Sequence, residues 1–365
     1  MNNAHYCSCI ILAKGGFYSL RINKKNQCKE FYSYFHFVGQ VKRHVKGAGD
    51  NAEIKPIYET TTTKTGKPRR VLQFDVLTNK YNKLKVELGG MEFESVTLYS
   101  SNAKKSYRIP WRDRHDKSKY PDPTYTIIGG TDWDNCELYG SLLAEGMWVE
   151  VKGKYEFGSY TNDEGKRYLT VKRKPTSIAA VADGQEITLR TKEKINYVCD
   201  FDNELFQEIN NFNLEIGIKS VYQDDSRNTK VNGVFLANGK DRSVPQDVEL
   251  MVYYKEPQPG KQSLADAFTK LNRLDFVEVR GVDNNRPEFA EVTEVTVIDD
   301  DPFAEVDEKE ANTRKVISGN RKGLEVLSVV AGTAVKSLLT EEEIAEEQIG
   351  GFYDDDDFFK DEQPF

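Results

Sequence analysis

Between Trp148 and Lys174 the chain sets six cations, Lys152, Lys154, Lys166, Arg167, Lys172 and Arg173, among four aromatic rings, Tyr155, Phe157, Tyr160 and Tyr168. Cations at this density neutralise phosphates, and flat rings offer faces on which unpaired bases stack, so the combination points to a single-stranded nucleic acid. Two further clusters lie upstream. Thr60 to Arg70 is polar and turn-rich with no apolar face, the composition of an exposed loop that presents Arg69 and Arg70. Tyr107 to His115 sets Arg108 and Arg112 around Trp111, in a segment that Pro110 and Pro121 break into a loop. Guanidinium planes and an indole suit stacking on bases. The competing role for Trp111 is a lid folded back on a core.

Enzymatic chemistry finds little support in the same residues. There are only 4 His, no phosphate-binding G-x-x-x-x-G-K-(S/T) and no H-E-x-x-H. His5, Cys7, Cys9 and Cys28 can supply four zinc ligands, yet C-x-C lacks the usual spacing of a zinc knuckle. Ordinary thiols are the preferred reading, so neither a metal nor a cofactor is expected. Five scattered cysteines, Cys7, Cys9, Cys28, Cys136 and Cys199, also argue against a disulfide framework.

The elements that position the rings and cations follow from alternation. Val149, Val151, Gly153, Tyr155 and Phe157 share one phase, Asn162 to Gly165 is a turn, and Tyr168, Thr170 and Lys172 return, which is a β-hairpin. Unless Gly153 shifts the phase, Tyr155 and Phe157 point inward with the valines. Tyr160, at the hairpin end, is then the better stacking residue. A glycine directly after V-x-V is where a strand bulges and bends enough to close a small barrel. Phe31 to Arg43, Val71 to Leu77 and Leu84 to Leu88 read as earlier strands, and Asp134 to Leu143 as a short helix just before the hairpin.

The hexapeptide Trp148 to Gly153 recurs as Phe276 to Gly281, position by position, offset by 128 residues (276 − 148). That offset is a whole domain. Strands at Leu214 to Ile218, Val231 to Leu236 and Val248 to Tyr254, a Ser263-capped helix and a returning strand Ala290 to Ile298 make the second unit another barrel. Its hairpin reads as shorter, with its cations reduced to Arg280 and Arg286, so the first barrel is expected to bind most strongly. Leu324, Leu327, Ala331, Ala334, Val335 and Leu338 are spaced for one helical face, and Thr340 with Glu343 forms a capping box.

The hairpin resembles the fourth and fifth strands of bacterial and phage single-stranded DNA-binding proteins: V-x-V-x-G, an aromatic before T-(D/N)-x-x-G, and a returning strand. Tyr160 stands where that family commonly has a stacking tryptophan. The far end of the chain, Asp354-Asp355-Asp356-Asp357 through Pro364-Phe365, resembles the partner-recruiting tip of the same family. The resemblance implies a mainly β fold of two tandem OB-fold barrels, each a five-stranded Greek key, with short helices and a disordered acidic tail. It also implies sequence-tolerant binding and protection of single-stranded DNA. The partners implied are replication, recombination and repair proteins held at Asp354 to Asp357, Pro364 and Phe365. Most members carry one barrel per chain and form tetramers, so two-barrel members that dimerise are nearer models and a homodimer is possible. A recombination mediator or annealing protein, and an OB module used only for protein contacts, are the alternatives.

The expected division is 1–30 extension, 31–182 first barrel, 183–210 connector with a helix near Asn203 to Asn210, 211–300 second barrel, 301–340 linker with a helix, and 341–365 acidic tail. From Glu341 onward eleven acids face one lysine, a net of −10, while the whole chain is −8, which leaves +2 before Glu341. The acidic balance is thus a property of the tail and does not oppose a nucleic-acid-binding body. No apolar run approaches the roughly 20 residues of a membrane span. With no signal-peptide pattern at the N-terminus, the cytoplasm of a bacterium or phage-infected cell is the expected location.

Overall fold

The computed structural model describes residues 6–13, 16–23, 28–47, 49, 52–63, 65–128, 131–162, 164–239, 242–294 and 312–345, the side chains of 6–20, 23, 289–294 and 312–316 excepted. An antiparallel hairpin, β1 (Tyr6–Ala13) and β2 (Gly16–Asn23), precedes the first barrel. The apolar run that begins at Cys9 is therefore a strand. The barrel opens with β3 (Ser33–Lys42), whose alternation of Phe35, Phe37 and Val41 into the core matches its aromatic and β-branched sequence. A short pair, β4 (Val45–Lys46) and β5 (Glu53–Ile54), leads to the meander β6 (Tyr58–Thr62), β7 (Pro68–Leu77) and β8 (Lys83–Met91).

A satellite sheet of β9 (Ser95–Ser100), β10 (Lys105–Pro110) and β11 (Thr126–Ile127) is inserted before α1 (Asp132–Leu142). Thr131 caps α1, its hydroxyl accepting from the Asp134 amide. The long hairpin β12 (Trp148–Thr161) and β13 (Arg167–Ala180) completes the barrel. β3 pairs with β7 on one side and β12 on the other, and β13 lies against β8, where Lys172 Nζ is 3.3 Å from Glu87. Among the described residues no backbone ladder joins β8 to β13, so side chains close that last junction.

β14 (Glu186–Thr188) and β15 (Lys194–Asn196) form a small connecting hairpin. The second barrel is β16 (Ile209–Gln223), β17 (Thr229–Asn238), β18 (Ser243–Val252), α2 (Leu264–Phe268), β19 (Phe276–Glu294) and β20 (Asn312–Val329), followed by α3 (Glu341–Ile344). It closes entirely through backbone ladders: β16 to β17, β17 to β18, β18 parallel to β20, β20 to β19 and β19 back to β16. The two tandem five-stranded barrels read from the sequence are therefore present.

The barrels are joined through their first strands. β3 pairs antiparallel with β16 from Ser33↔Leu214 to Ile209↔Val38, with Phe35 opposite Phe212 at the centre. Each first strand thus gives half of one edge to the other barrel and half to its own second strand. The same row continues outward on both sides, Gly153 pairing with Phe35 and Gly281 with Phe212. The rings explain the glycines. A Cβ on Gly153 would come within 2.4 Å of Phe35 Cζ and 2.2 Å of the Lys174 carbonyl oxygen, and one on Gly281 within 2.7 Å of Phe212 Cε1 and 1.8 Å of the Glu325 oxygen.

Register breaks beside both glycines, but the extra residue lies on the returning strand, Thr176 opposite the first and Leu327 opposite the second. The phase of β12 is unbroken, and Tyr155 and Phe157 are core residues at 2% and 5% exposure.

Four local expectations are corrected. Thr60 to Arg70 is a hairpin rather than a loop throughout: Tyr58–Thr62 pairs with Pro68–Leu77 around an exposed turn, because an edge strand needs backbone partners more than an apolar face. Asn203 to Asn210 forms no helix; Phe206 packs on Trp148 and Tyr197, and Ile209 already starts β16. The returning strand of the second hairpin is β20, not Ala290 to Ile298, whose residues up to Glu294 belong to the outgoing strand. Leu324 to Val329 is therefore strand rather than helix, with Leu324 and Val326 buried at spacing two and the bulged Leu327 exposed. The fifth strand of the second barrel thus falls where a linker was expected.

Candidate nucleic-acid interface

Cross-strand pairing sorts the first hairpin into two faces. Lys154 lies opposite Lys174, Glu156 opposite Lys172, Gly158 opposite Thr170 and Tyr160 opposite Tyr168, all on the side away from Tyr155 and Phe157. Near the turn the Tyr160 and Tyr168 rings stack, with centroids 5.2 Å apart and planes 20° from parallel, and Lys166 Nζ sits 5.1 Å from the Tyr168 centroid. Both tyrosines are half-buried and Lys166 is exposed. The reach of this hairpin comes from the second barrel: the Phe157 amide donates to Gln246 Oε1 at 3.2 Å, and Arg167 Nη2 lies 3.1 Å from Asp247, both on β18.

Most of the hairpin cations are held by acids of the chain itself. Lys152 Nζ is 2.7 Å from Glu150, Lys172 pairs with Glu87, and Arg173 donates to both oxygens of Asp283 at 2.7 and 2.8 Å. Lys174 bridges Asp132 and Glu156 at 2.8 and 3.3 Å. The outer face is therefore a lattice of alternating charge rather than a basic strip. Lys154 and Lys166 are exposed, and among the described residues neither has an acidic partner. The buried pair of Arg173 with Asp283 serves the fold.

The upstream candidates divide in the same way. Arg69 is only 8% exposed, its guanidinium beside Gly89 of β8, whereas Arg70 lies over the Trp133 ring at 4.3 Å while its Nη1 is 2.9 Å from Glu137, so Arg70 fastens α1 to the barrel. Trp111 does not offer a stacking face. It is 7% exposed in a satellite core with Val96, Leu98, Ile109, Tyr120, Tyr125 and Trp133, and the Arg114 guanidinium covers it at 4.1 Å. The hydrophobic contacts of a small inserted sheet require one large side chain, and the indole supplies it. Arg108 is exposed on β10, and Arg112 is 86% exposed beside Asp113. Tyr107, at 50% exposure, and Phe93, at 60%, are the rings this insertion presents to solvent. The alternation of β10, with Ile109 inward, is too short to have singled them out.

A second polar constellation lies on the outer face of the joined sheet and was not legible in the sequence. The Tyr32 and Tyr34 rings stack at 6.3 Å, and Arg190 lies over both, its Nη1 donating to the Tyr32 hydroxyl at 2.6 Å. Burial pushes the Tyr34 hydroxyl up to about 12. His36 Nε2 is 2.7 Å from Glu150 Oε1. Burial by itself raises the Glu150 pKa, but hydrogen bonds from His36 and Lys152 outweigh it and hold the carboxyl down at about 2. The same position in the second barrel is Asn213 donating to Glu278 at 2.9 Å.

Of the cysteines, Cys136 lies on the buried side of α1, its thiol pushed up to about 11 by burial, while Cys28 and Cys199 are half-buried. His5 and the side chains of Cys7 and Cys9 lie outside the described residues, as do Asp354, Asp355, Asp356, Asp357, Pro364 and Phe365. The acidic segment begins docked: Arg273 grips Glu341 through two hydrogen bonds of 2.9 and 2.7 Å, Lys29 holds Glu343 at 2.8 Å, and Ile344 is buried. No helix among the described residues is long and apolar enough to cross a membrane.

No protein-family model matches the chain, and no curated protein matches it. Among solved structures the chain is similar to a deletion mutant of the single-stranded DNA binding protein from Thermus aquaticus, at 11% identity over 86% of this chain and 98% of that one, with a TM-score of 0.36. It is also similar to the wild-type form of that protein, at 11% identity over 82% and 93% of the two chains, with a TM-score of 0.35.

Proposed function

We propose that this chain binds single-stranded DNA without sequence preference and protects it, chiefly through the first barrel. The observation that carries the reading is the end of the first hairpin, where stacked Tyr160 and Tyr168 stand beside Lys166 on a rigid double barrel. Exposed Lys154, Arg108 and Arg112 add phosphate contacts. One OB fold covers about 4–16 nucleotides, and each stacked base contributes roughly 1–3 kcal/mol. The acidic C-terminal segment recruits replication, recombination and repair proteins through Asp354 to Asp357 and the Pro364-Phe365 end, and two copies of the chain form a homodimer. These last parts rest on the sequence.

A second reading is favoured by the ion pairs: with Lys152, Lys172 and Arg173 already matched by acids, the barrels serve as a protein-contact module. Titration of oligo-dT, oligo-rU and duplex across salt separates the two. Tight, salt-dependent binding to dT with weak duplex binding supports the first, and absence of dT binding at moderate salt overturns it. Annealing of complementary strands in a fluorescence-transfer assay would add the activity of a mediator.

A further inference from the structure

The inserted satellite sheet ends on an open edge. Its order is β10-β9-β11, so β9 has a neighbour on both sides while β10 pairs on one side only, from Lys105↔Ser100 to Pro110↔Ser95. Among the described residues no backbone hydrogen bond joins the other side of Lys105 to Ile109 to any element. Lys105, Ser106, Tyr107 and Arg108 are all exposed, so the row of amides and carbonyls stands open to an added strand. The edge is also held in place. Ser100 pins the turn before it, its hydroxyl accepting from the Ala103 amide at 3.1 Å and lying 2.6 Å from Thr124 Oγ1, and Ile109 anchors the strand in the satellite core at 3% exposure. A preformed edge takes up an extended peptide with little ordering on its own side.

The side chains along the edge specify which peptide fits. Tyr107 lies opposite Leu98 and Ile109 opposite Val96, so Tyr107 stands on the core-facing side of the sheet, yet it is 50% exposed where Ile109 is covered. Lys105 stands two residues earlier on that same side, and Lys104 is exposed in the turn beside it. Neither lysine has an acidic partner among the described residues. A strand laid along β10 sets one residue beside Lys105 and another, two positions away, beside Tyr107. An acid at the first position and an apolar side chain at the second match both, and the apolar one lengthens the satellite core past Ile109. A second copy is the poorer occupant, because pairing two β10 strands crowds Lys104, Lys105 and Arg108 of both copies into one short ladder. A nucleic acid answers the lysines but not the ladder of alternating amides and carbonyls.

We propose that β10 is a docking edge for a partner protein, which adds an extended segment of alternating acidic and apolar residues to the satellite sheet as a further strand. The proposal is independent of the single-strand reading, and a chain that fails to bind dT leaves it standing. Its test is fluorescence anisotropy of a short labelled peptide alternating glutamate and valine, titrated with the full chain as wild type, Lys105→Glu and Tyr107→Ala, with unfolding midpoints taken alongside. Wild type should bind this peptide and not its lysine-valine counterpart. Lys105→Glu should weaken binding roughly 2- to 30-fold, the change from one attractive to one repulsive cross-strand pair. Tyr107→Ala should weaken it as well, both at wild-type midpoints. N-methylation of every second amide of the peptide should abolish binding in one of its two phases, since only one row of its amides faces β10. Affinity for oligo-dT should be the same in Lys105→Glu as in wild type. Absence of peptide binding by wild type overturns the proposal, as do equal affinities in the three chains or binding that survives methylation in both phases. Lys105→Glu that loses dT while keeping the peptide assigns the edge to nucleic acid, and a wild-type dimer in sedimentation that Lys105→Glu dissociates assigns it to a second copy. Either outcome also overturns it.

Discussion

The Tyr155 hydroxyl donates to Asp283 Oδ2 at 2.9 Å, joining two positions that are 128 residues apart and equivalent in the two hairpins. Arg173, directly opposite Tyr155 on β13, closes on the same carboxylate, which is wholly buried. Burial and the neighbouring carboxylate drive the Tyr155 pKa well above its ordinary value, so the phenol is a donor throughout the stable range. Removing one member of such a buried set leaves an uncompensated charge, and Asp283→Ala is expected to cost about 3–5 kcal/mol in urea unfolding. Tyr155→Phe should cost about 1.5–3 kcal/mol, the range for a hydrogen bond to a charged group. An Asp283→Ala chain as stable as wild type would show that the barrels are not held together there.

Gly153 and Gly281 make a second structural prediction. An alanine at either site meets a backbone oxygen at 2.2 or 1.8 Å, which no side-chain rotation relieves. Overpacking of about 1–3 kcal/mol or more is expected for each, read as a lower thermal midpoint. Equal midpoints would mean that the strands separate freely at the bulges.

Salt dependence distinguishes cations that touch phosphates from cations that hold the fold. Lys154→Ala with Lys166→Ala should lower the slope of log affinity against log salt by up to about 1.4, at about 0.7 per contact on a single strand. Lys172→Ala, which breaks the pair with Glu87, should reduce stability with little effect on the slope. The reverse pattern would place Lys172, rather than Lys154 and Lys166, against the strand.

Aromatic substitutions separate stacking from packing. Tyr160→Ala and Tyr168→Ala should each weaken oligo-dT binding by roughly 1–3 kcal/mol. Trp111→Phe, which keeps the satellite core filled, should leave affinity unchanged, and Trp111→Ala should destabilise the chain by about 3–5 kcal/mol. Affinity lost in Trp111→Phe at unchanged stability would return the indole to the binding face.

The Glu150 carboxyl, at about 2 in the folded chain against an ordinary 4.5, gives a pH prediction. A depressed carboxyl contributes its full stabilisation above about 4.5, and the contribution fades as pH falls from there toward 2. Glu150→Gln should therefore be less stable than wild type at pH 7, with the gap narrowing between pH 4.5 and 3.5 in urea titrations. A gap that stays constant across that interval would show that the contacts with His36 and Lys152 do not stabilise the charge.

Alternation by itself determined much of this protein. Val149 through Phe157 named the inward residues of β12, the 128-residue repeat named the second barrel, and Ser263, Thr340 and Glu343 marked helix starts that the structure keeps. Those are local properties, set by the period of a strand and the geometry of a cap. Only the tertiary structure decided the fate of the charges. That Lys172 is matched by an acid depends on Glu87, which lies 85 residues before it in the chain (172 − 87) and meets it only when the barrel closes. The length of the second hairpin was hidden for the same kind of reason. Spacings at Leu324, Leu327 and Ala331 suit a helix, and the parallel ladder to β18 with the bulge beside Gly281 overrides them. Long-range pairing carries more free energy than local propensity at such positions, so a reading residue by residue stops where the two barrels meet.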